Sequence, residues 1–579
     1  MTTNPFEYDA APNLPPERLV EWYIEDDNYA RFMKAHRNVV INGERGSGKS
    51  MTLIYHSMSY DTVKERSGAA AADQTRQTLG IYVPCNTPLN SKDEHLLLDE
   101  IAQRRISEAD LTLMILANLA REFEASNIQF DAEDLTFLRE EFEITLDCDP
   151  FPDDVGPFVH LRREVRRKLK LNQQQMLDST WNPSASADTF SIMVIPVLEA
   201  IAATKSLSGV HFSLLIDDAQ NLNSHQRKLL NSWLGYRDNS LFSFKIAIAG
   251  VRGYDFATSS GGIILDGHDY TTVDLQRPIQ NKDSEFGRFA RNVVEKRLRN
   301  AGISLSPDEF FPVDPSTVKR LEQARRVTEN NAIERGLERG SKAFNDYVYK
   351  HRRAVYFRSR TGKANKPIYS GFNTMAHLST GVIRNLLEPC YVMFERQASS
   401  LKGKTPANIK PDVQDTVIKE LSDRRWDMMS GSLHRILPNC SAEDGQAIHN
   451  LFTRVAEYFR RRLLEHASEP RVVTFIISER GHPAFKELKR LLDLSERAQL
   501  LYVRAGTSKK GGGREDYYVP NRMLWPRYGL DAHGQHGRAS LRAEDLLAAA
   551  QKDIAIPFPS GENDPEPSEN QGTLFDGER

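Results

Sequence analysis

One eight-residue stretch near the N-terminus has the composition and spacing of a phosphate-binding loop. Gly43-Glu44-Arg45-Gly46-Ser47-Gly48-Lys49-Ser50 fits the pattern G-x-x-x-x-G-K-[ST]. Glycines let such a turn close around phosphate oxygens, and the helix that follows presents unpaired N–H groups to an anion. Lys49 is then expected to reach the β- and γ-phosphates of ATP, and Ser50 to supply its hydroxyl to Mg²⁺.

The elements that must position this loop flank it directly. Asn38-Val39-Val40-Ile41-Asn42 is a short β-branched run typical of a buried strand, and residues 51–60 have the composition of a helix. Strand, loop and helix in this order form the arrangement that a phosphate-binding loop requires. A glycine-rich turn that matches the pattern by chance is the weaker interpretation, because all three parts agree.

A second stretch supplies acidic groups suited to the same chemistry. Residues 210–216 form an apolar run, and Asp217 and Asp218 follow it directly. In P-loop ATPases the first acid, here Asp217, binds the water shell of Mg²⁺, and the next acid, here Asp218, orients and deprotonates the attacking water. The alternative is a strand that ends in a solvated aspartate pair. Because aspartate is one methylene shorter than the more usual glutamate, we expect slow hydrolysis of ATP to ADP and phosphate.

Further apolar runs predict the remaining strands of one sheet. They cover residues 79–84, 244–250 and 270–275. Strands that alternate with helices favour a parallel sheet with both faces covered, so the predicted fold class is α/β. A long helical region precedes the acidic strand, and we interpret residues from about 90 to 195 as a helical insertion. The basic run at 162–170 is interpreted as a charged helix face rather than as a phosphate-contacting surface.

Bulk composition limits the class of protein. A chain of 579 residues is too long for one hydrophobic core, so about three or four domains are expected. No apolar run reaches membrane-spanning length and the N-terminus lacks a signal pattern, so we expect a cytoplasmic protein without membrane contact. Four cysteines without C-x-x-C spacing indicate reduced core thiols. The net charge of −3 requires that any nucleic-acid affinity come from local basic patches.

Two basic helical segments follow in the second half of the chain. The helix predicted at 284–299 carries four arginines, one of which could act as an arginine finger on a neighbouring subunit, although a solvated basic face is the stronger interpretation. The segment 350–363 alternates cations with aromatic residues. This pattern suits either phosphate contact with base stacking or a lid that grips nucleotide phosphates, and the two interpretations have equal weight.

A Ser-x-Gly-x-x-Arg signature then opens a helix. Its residues are Ser379, Gly381 and Arg384. Downstream of a phosphate-binding loop and an acid-tipped strand, this signature resembles the second sensor of the AAA+ ATPases, in particular the origin-recognition initiators and the related STAND signalling ATPases. The resemblance covers about residues 15–395. It implies that Arg384 contacts the γ-phosphate from a helical lid and reports the nucleotide state.

One departure from that family bears on hydrolysis. In many of these ATPases, a polar side chain contacts the γ-phosphate. This residue stands directly after the strand that follows the acidic strand in the chain. Ala249 and Gly250 stand there in this chain and cannot make that contact, and Arg252 is the candidate to replace it. Together with Asp218, this departure favours a switch that turns over rarely more than a fast motor.

The C-terminal part has the pattern of a helix followed by a hairpin. Residues 483–494 predict the helix, and residues 499–504 and 515–520 predict two strands. The glycine-rich tip between the strands carries three cations, Lys509, Lys510 and Arg514. This arrangement resembles the winged-helix domain that accompanies initiator ATPases, which implies that the tip contacts the phosphates of duplex DNA. Winged helices also bind proteins, so a protein-docking role stays open.

The last residues have the composition of a disordered tail with one short motif. Residues from about 556 onward are rich in Pro, Ser, Glu, Asp and Gly. The segment that contains Gln571, Leu574 and Phe575 is similar to the Gln-x-x-Leu-Phe motif by which bacterial proteins bind the sliding clamp. A sliding clamp is therefore a candidate partner, although five residues match easily by chance.

These patterns together predict four parts of the chain. They are a P-loop ATPase core with its insertion, a helical lid, a winged-helix-like domain and a disordered tail, at residues 1–300, 301–400, 401–550 and 551–579. The expected function is an initiator-like AAA+ ATPase switch that binds ATP and Mg²⁺, engages duplex DNA and could form a homo-oligomer. The alternative is a STAND-like signalling or antiviral-defence ATPase whose C-terminal module and insertion bind protein partners.

Overall fold

The structure is a computed structural model in which the chain divides into two compact units. The N-terminal unit is Tyr8–Arg277, and the C-terminal unit is Pro278–Arg579 together with Met1–Glu7. The residues that the structure describes are 4–25, 27–68, 77–85, 98–152, 154–177, 188–235, 240–250, 253–275, 284–360, 366–465, 472–507, 514–533 and 537–558.

The described residues bear on two expectations from the sequence, which concern membrane-spanning segments and the cysteines. No helix among them is long and apolar enough to cross a membrane. All four cysteines are free, and Cys85 and Cys390 are buried, whereas Cys148 and Cys440 are partly exposed. The partly buried Cys148 packs against the core of the N-terminal unit, so the expectation of core thiols was wrong for Cys440 only.

The N-terminal unit is built on a parallel sheet. Its strands are β1 (Val39–Asn42), β2 (Thr78–Pro84), β3 (His211–Asp217), β4 (Phe242–Ile248) and β5 (Thr271–Asp274). Their order across the sheet is β2-β3-β4-β1-β5, and each neighbouring pair is parallel. Every residue of β3 and β4 is buried, as expected when both faces of a parallel sheet are covered. The predicted α/β fold class is confirmed.

The order of the strands brings the predicted chemical groups to one edge. The strand β1, which precedes the glycine-rich loop, pairs with β4, and β4 pairs with β3, which ends at Asp217. Because parallel strands point the same way, the residues that follow their carboxyl ends lie along one edge of the sheet. The loop and the aspartate pair are therefore two strand positions apart, or roughly 10 Å.

The helices of the N-terminal unit connect these strands. The described ones are α1 (Pro16–Trp22), α2 (Asp27–Lys34), α3 (Lys49–Tyr55), α4 (Met58–Ser67), α5 (Glu100–Ala125), α6 (Ala132–Leu146), α7 (Pro157–Leu177), α8 (Ile195–Ala203, after a π-helical turn at Phe190–Val194) and α9 (Ser224–Leu234). The three long helices α5 to α7 lie between β2 and β3 in the chain, within the region predicted to be a helical insertion.

The helix predicted at 51–60 is interrupted. The chain forms α3 and α4 instead, so the prediction of one continuous helix was wrong. At the break, a Cβ added to Gly80 of β2 would lie 2.1 Å from the carbonyl oxygen of His56. The backbone of His56 thus approaches the sheet so closely that position 80 must be glycine. Packing between distant segments sets this break, and the periodicity of the local sequence does not contain it.

The basic run in the insertion forms ion pairs on the surface of α7. The rings of Phe123 and Phe158 stack at 4.4 Å and hold α5 against α7. The ion pairs are Arg162–Glu124 at 2.7 Å, Arg167–Glu164 at 2.7 Å and Lys168–Asp188 at 3.2 Å. These contacts agree with the interpretation of 162–170 as a charged helix face.

The C-terminal unit contains a second sheet with the predicted hairpin. Its strands are β6 (Val472–Ser478), β7 (Leu501–Thr507), β8 (Arg514–Pro520) and β9 (Gly537–Arg542). The strand β8 pairs antiparallel with both β7 and β6, and β9 adds to β6 in parallel. A helix at Ala484–Arg497 precedes the hairpin. The helix and hairpin of a winged-helix-like module are therefore present, with β9 as an additional strand.

Helices make up much of the remainder of the C-terminal unit. The described ones are α10 (Glu285–Asn300), α11 (Pro307–Phe310), α12 (Pro315–Glu334), α13 (Lys342–Arg358), α14 (Phe372–Leu378), α15 (Ile383–Ser400), α16 (Pro411–Gly431), α17 (Leu433–Ile436), α18 (Ala442–Glu465), α19 (Ala484–Arg497) and α20 (Ala543–Lys552). The predicted sensor arginine lies at the start of α15.

Candidate functional site

The loop predicted to hold phosphate connects β1 to α3 at the carboxyl edge of the sheet. Gly46 and Gly48 have φ angles of 85° and 104°, a backbone region that other residues adopt only with strain. A backbone hydrogen bond of 3.1 Å from Ser47 to Glu44 closes the turn. At Gly43, a Cβ would lie 2.6 Å from Oγ of Ser47, a contact that rotation of the serine side chain could relieve. The conformation of the loop therefore depends on glycine at positions 46 and 48.

Lys49 extends back over the loop that it follows. Its Nζ donates to the carbonyl oxygens of Gly43 at 2.9 Å and Glu44 at 3.0 Å, and the residue is only 5% exposed. Burial lowers the pKa of Lys49, and the carboxylates of Asp218 and Asp217 oppose that shift. An ammonium group held by neutral carbonyls can exchange them for the oxygens of an anion, which form stronger charge-assisted bonds. The ammonium group of Lys49 therefore lies where it could bind the phosphate of a ligand.

Asp217 ends β3 with a buried carboxylate. Burial and the repulsion of Asp218 raise the pKa of Asp217, whereas Ser50, Tyr82 and Lys49 oppose the rise. The hydroxyl of Tyr82 donates to Oδ2 of Asp217 at 2.9 Å. The other oxygen, Oδ1, is buried and has no hydrogen-bond partner among the described residues. One oxygen of the carboxylate is thus held by the protein, and the other is available to a ligand.

Asp218 follows in a left-handed backbone conformation, with a φ angle of 54°. Aspartate tolerates this conformation better than most residues other than glycine. Nε2 of Gln220 donates to Oδ1 of Asp218 at 2.9 Å, and Oε1 of Gln220 accepts from the backbone N–H of Ala249 at 3.0 Å. Gln220 therefore connects Asp218 to the end of β4 and places a polar side chain beside Ala249. No local sequence pattern marks Gln220, because only the sheet order brings the two segments together.

The side chains of this site fit a nucleoside triphosphate with Mg²⁺. Lys49 suits phosphate oxygens, and Ser50 and Asp217 offer oxygen ligands to a hard cation. Two buried polar atoms without a partner in the described residues, Oγ of Ser47 and Oδ1 of Asp217, are the kind that a ligand satisfies. The described part of the chain has no group of three or more His, Cys, Asp or Glu side chains that could hold a metal. Mg²⁺ in nucleotide sites usually takes phosphate oxygens and water as further ligands, and it would do so here.

The remaining predicted site residues lie in the C-terminal unit or outside the described residues. Arg384 is half-buried in the first turn of α15. Arg514 is the first residue of β8, and only its backbone is described. The residues outside the described ranges are Arg252, Lys509, Lys510, Gln571, Leu574 and Phe575. The roles assigned to all of them stay predictions.

The position of one arginine excludes it as a finger. Arg297 is 5% exposed and donates to the carbonyl oxygens of Pro5 at 3.1 Å and Glu7 at 2.5 Å. Burial lowers the pKa of Arg297 to about 10. A guanidinium group held inside the unit in this way cannot reach a nucleotide on a neighbouring subunit. The solvated-face interpretation is also wrong for this residue.

Two cations of the segment 350–363 are likewise used inside the C-terminal unit. Arg353 forms a bidentate pair with Asp531, with distances of 2.9 and 3.0 Å. Arg358 donates through Nε to the carbonyl oxygen of Leu463 at 2.6 Å. Both interpretations of this segment assumed that its cations face phosphate, and they were wrong for these two arginines. The partners lie more than 100 positions away in the chain, so no local pattern could have identified them.

The turn that carries Arg384 is joined to the hairpin. Nδ2 of Asn385 donates to the hydroxyl of Tyr502 on β7 at 2.9 Å, and the pair is buried. Val382 lies in one apolar cluster with Tyr502 and Tyr517 of the hairpin. The start of α15 and the hairpin therefore pack against each other directly.

Comparison with known proteins gives a family. A family model described as ORC-CDC6-like matches residues 4–336 and 313–541 of the chain. A search among curated proteins gives no significant match.

Several solved structures are similar to this chain at low identity. The ORC2 protein of Aeropyrum pernix in ADPNP-ADP complexes is 12% identical with a TM-score of 0.34, and the match covers 94% of this chain and 98% of that chain. Cdc6p of Pyrobaculum aerophilum is 10% identical with a TM-score of 0.29, with 95% and 97% covered. The ORC1 protein of Aeropyrum pernix in complex with DNA is 10% identical with a TM-score of 0.29, with 91% and 95% covered. Because these superpositions are loose, the assignment rests on the family model, which spans most of the chain. The chain belongs to the ORC-CDC6-like family, which confirms its resemblance to the AAA+ origin-recognition ATPases.

Proposed function

We propose that this protein is an initiator-type switch that binds and hydrolyses ATP and couples its nucleotide state to the engagement of duplex DNA. One observation carries the proposal: a loop closed by glycines, with Lys49 folded back onto its carbonyl oxygens, lies at the same carboxyl edge of the N-terminal sheet as Asp217 and Asp218 at the end of β3. Membership of the ORC-CDC6-like family supports the same function. It also favours this function over the STAND-like signalling alternative.

Each residue of the site has a role in this proposal. The loop from Gly43 to Gly48 surrounds the phosphates, and Lys49 neutralises charge on the β- and γ-phosphates. Ser50 and Asp217 hold Mg²⁺, which would offset the charge that develops on the transferred phosphoryl group. Asp218 orients the attacking water and accepts its proton.

Turnover in this proposal is slow. The carboxylate of Asp218 is on a shorter side chain than the glutamate usual at this position, and a hydrogen bond from Gln220 engages it at 2.9 Å. Ala249 has no side chain that could contact the γ-phosphate, and its backbone N–H is used by Gln220. A nucleotide that is cleaved rarely suits a switch, which must stay in one state long enough to act.

The proposed sensor is Arg384, and its surroundings support coupling to DNA. Asn385, the next residue, binds Tyr502 of the hairpin through a buried hydrogen bond of 2.9 Å. A displacement of Arg384 would therefore pass to the hairpin through packed side chains and not through a flexible linker. The tip of that hairpin carries the cations proposed to meet DNA.

The proposed DNA contact is this basic tip. Lys509, Lys510 and Arg514 lie between the strands of the hairpin or at its edge in the sequence. A net charge of −3 for the whole chain leaves such local patches as the source of attraction to phosphates. The solved ORC1 structure of Aeropyrum pernix is a complex with DNA. For this chain, duplex DNA is a proposal that rests on the family and on the tip.

Binding of duplex DNA is expected to weaken steeply as salt rises. Each phosphate contact contributes about 0.9 to the slope of log K against log salt concentration, so replacing Lys509, Lys510 and Arg514 by glutamine should reduce the slope by roughly 3. Fluorescence anisotropy with a labelled duplex over a series of salt concentrations measures both the affinity and the slope.

A second triple variant controls for the change in net charge. Arg163, Arg166 and Lys170 are exposed on α7 of the insertion, and replacing them by glutamine removes the same charge. The slope of this variant is expected to equal that of the parent. An equal reduction in both triple variants, or no DNA affinity of the parent at low salt, would contradict the proposed DNA contact.

Two further partners belong to the proposal without structural support. The segment with Gln571, Leu574 and Phe575 lies outside the described residues, and its binding to a sliding clamp stays a prediction from the motif. Assembly into a homo-oligomer also stays a prediction. Neither is needed for the switch itself.

A further inference from the structure

Tyr82 reaches the acidic end of the neighbouring strand. It lies on β2 opposite Leu215 of β3, two positions before the pair formed by Pro84 and Asp217. Side chains two residues apart on a strand point to the same face of the sheet, so Tyr82 and Asp217 lie on one face as diagonal neighbours. The hydroxyl of Tyr82 donates to Oδ2 of Asp217 at 2.9 Å. The phenol thus spans the two strands at the proposed nucleotide site.

The ring of Tyr82 is held in place by its packing. It contacts one apolar cluster that includes Leu53 and Leu215 and a second one that includes Ile54 and Tyr55. An ordinary phenol is neutral near pH 7, so the hydroxyl has a proton to donate. Asp217 therefore receives its hydrogen bond from a fixed donor.

This hydrogen bond decides which oxygen of Asp217 is free. The terminal torsion of an aspartate is broad and roughly two-fold, so the side chain alone does not favour either oxygen. Oδ2 is engaged by Tyr82, whereas Oδ1 is buried without a hydrogen-bond partner in the described part of the chain. A buried acceptor left unpaired destabilises the folded state. A cation near Oδ1, or a water molecule of its hydration shell, would satisfy that acceptor.

We propose that Tyr82 is a positioning residue that orients Asp217 so that Oδ1 faces the divalent cation of the bound nucleotide. The inference rests on the proposed function, because it requires a nucleotide and its cation at the loop. Hydrogen-bond partners of metal-binding side chains fix the orientation of the ligand, and their loss typically lowers metal affinity by about 10- to 100-fold. Tyr82 acts through Asp217 and needs no contact of its own with the nucleotide.

The variant Tyr82→Phe removes the hydroxyl and keeps the ring that packs in the core. The affinity of the ADP-bound protein for Mn²⁺, measured by electron paramagnetic resonance of free Mn²⁺, is expected to fall about tenfold or more. The affinity for ADP in the presence of EDTA should equal that of the parent, because the loop and Lys49 do not depend on Tyr82. The Mg²⁺ concentration for half-maximal ATP turnover should rise by the same factor as the Mn²⁺ dissociation constant.

Tyr254→Phe is the matched control. Tyr254 is buried in the same unit, and its hydroxyl donates to Oδ1 of Asn231 at 3.3 Å, a pair that contains no predicted site residue. Its Mn²⁺ affinity should equal that of the parent. If the parent binds ADP and Mn²⁺ and Tyr82→Phe binds Mn²⁺ equally well, the positioning role is overturned and the proposed function stands. An equal loss in Tyr254→Phe would also overturn that role, and a parent without nucleotide affinity would overturn both proposals.

Discussion

Replacement of Lys49 by alanine is expected to abolish ATP binding. In the structure its Nζ is engaged by the carbonyl oxygens of Gly43 and Glu44, at 2.9 and 3.0 Å, which a phosphate would replace. A hydrogen bond to a charged group contributes about 1.5–3 kcal/mol, so the loss of one such bond weakens binding roughly 10- to 100-fold. The loss of the positive charge beside a polyanion adds to that effect. Isothermal titration calorimetry with ATP and Mg²⁺ measures the change in the dissociation constant.

The variant Lys64→Ala controls for the removal of a buried lysine. Lys64 is 8% exposed, and its Nζ donates to the carbonyl oxygen of Tyr55 at 2.9 Å and pairs with Asp61 at 2.6 Å. Loss of the Lys64 side chain should lower the thermal stability of the protein. It should leave the affinity for ATP unchanged, because Lys64 belongs to α4 and not to the loop. If Lys49→Ala bound ATP as tightly as the parent, the assignment of the loop would be wrong.

Asp218→Asn is expected to bind ATP and to lose its turnover. Asparagine keeps the size of the side chain and also tolerates the φ angle of 54°, and it can still accept the hydrogen bond from Gln220. It cannot accept a proton from water. Since general base catalysis typically contributes about 10²- to 10⁴-fold, kcat should fall by that factor with no loss of ATP affinity. Single-turnover phosphate release measures the hydrolysis step, and an equilibrium ATP titration of the same variant measures the binding step.

Asp147→Asn controls for the unusual backbone of Asp218. Asp147 ends α6 in the insertion with a φ angle of 46°, so the same substitution meets a similar left-handed conformation away from the proposed chemistry. Its turnover should match that of the parent. Parental turnover by Asp218→Asn would contradict the role of Asp218 as the base, and a parallel loss in Asp147→Asn would point to a backbone effect.

The loop and the aspartate pair could be predicted from the sequence because each is a local pattern. The phosphate-binding motif spans eight consecutive residues, and the apolar run before Asp217 appears as β3 with its predicted end. The other strands of the first sheet also follow from short apolar runs. That both groups lie on one edge follows from the parallel direction of the strands, which alternation with helices already implies.

The contacts that orient these groups could not be predicted in the same way. Tyr82 and Asp217 are 135 positions apart, and their hydrogen bond depends on the register of β2 against β3. A shift of one residue in that register would turn Tyr82 to the opposite face of the sheet. Gln220 reaches Ala249 only because β4 is the neighbour of β3. Strand order and register come from tertiary packing, and no single stretch of sequence contains them.

The basic segments were misread for the same reason. Arg353 belongs to a segment whose composition suits phosphate contact, yet it pairs with Asp531, which is 178 positions away. Arg297 lies in an arginine-rich helix, yet the N-terminal residues Pro5 and Glu7 accept its hydrogen bonds. Composition identifies a cation, whereas its partner is decided by the fold.

The affinity of the full chain for duplex DNA in two nucleotide states tests the central claim most directly. With Mg²⁺ and a non-hydrolysable ATP analogue, the dissociation constant for DNA should differ from that with ADP by about 5- to 150-fold, the range that corresponds to usual allosteric coupling energies. Lys49→Ala, which cannot bind either nucleotide, should show one value under both conditions. Equal affinities of the parent protein with the ATP analogue and with ADP would contradict the proposal that nucleotide state controls DNA engagement.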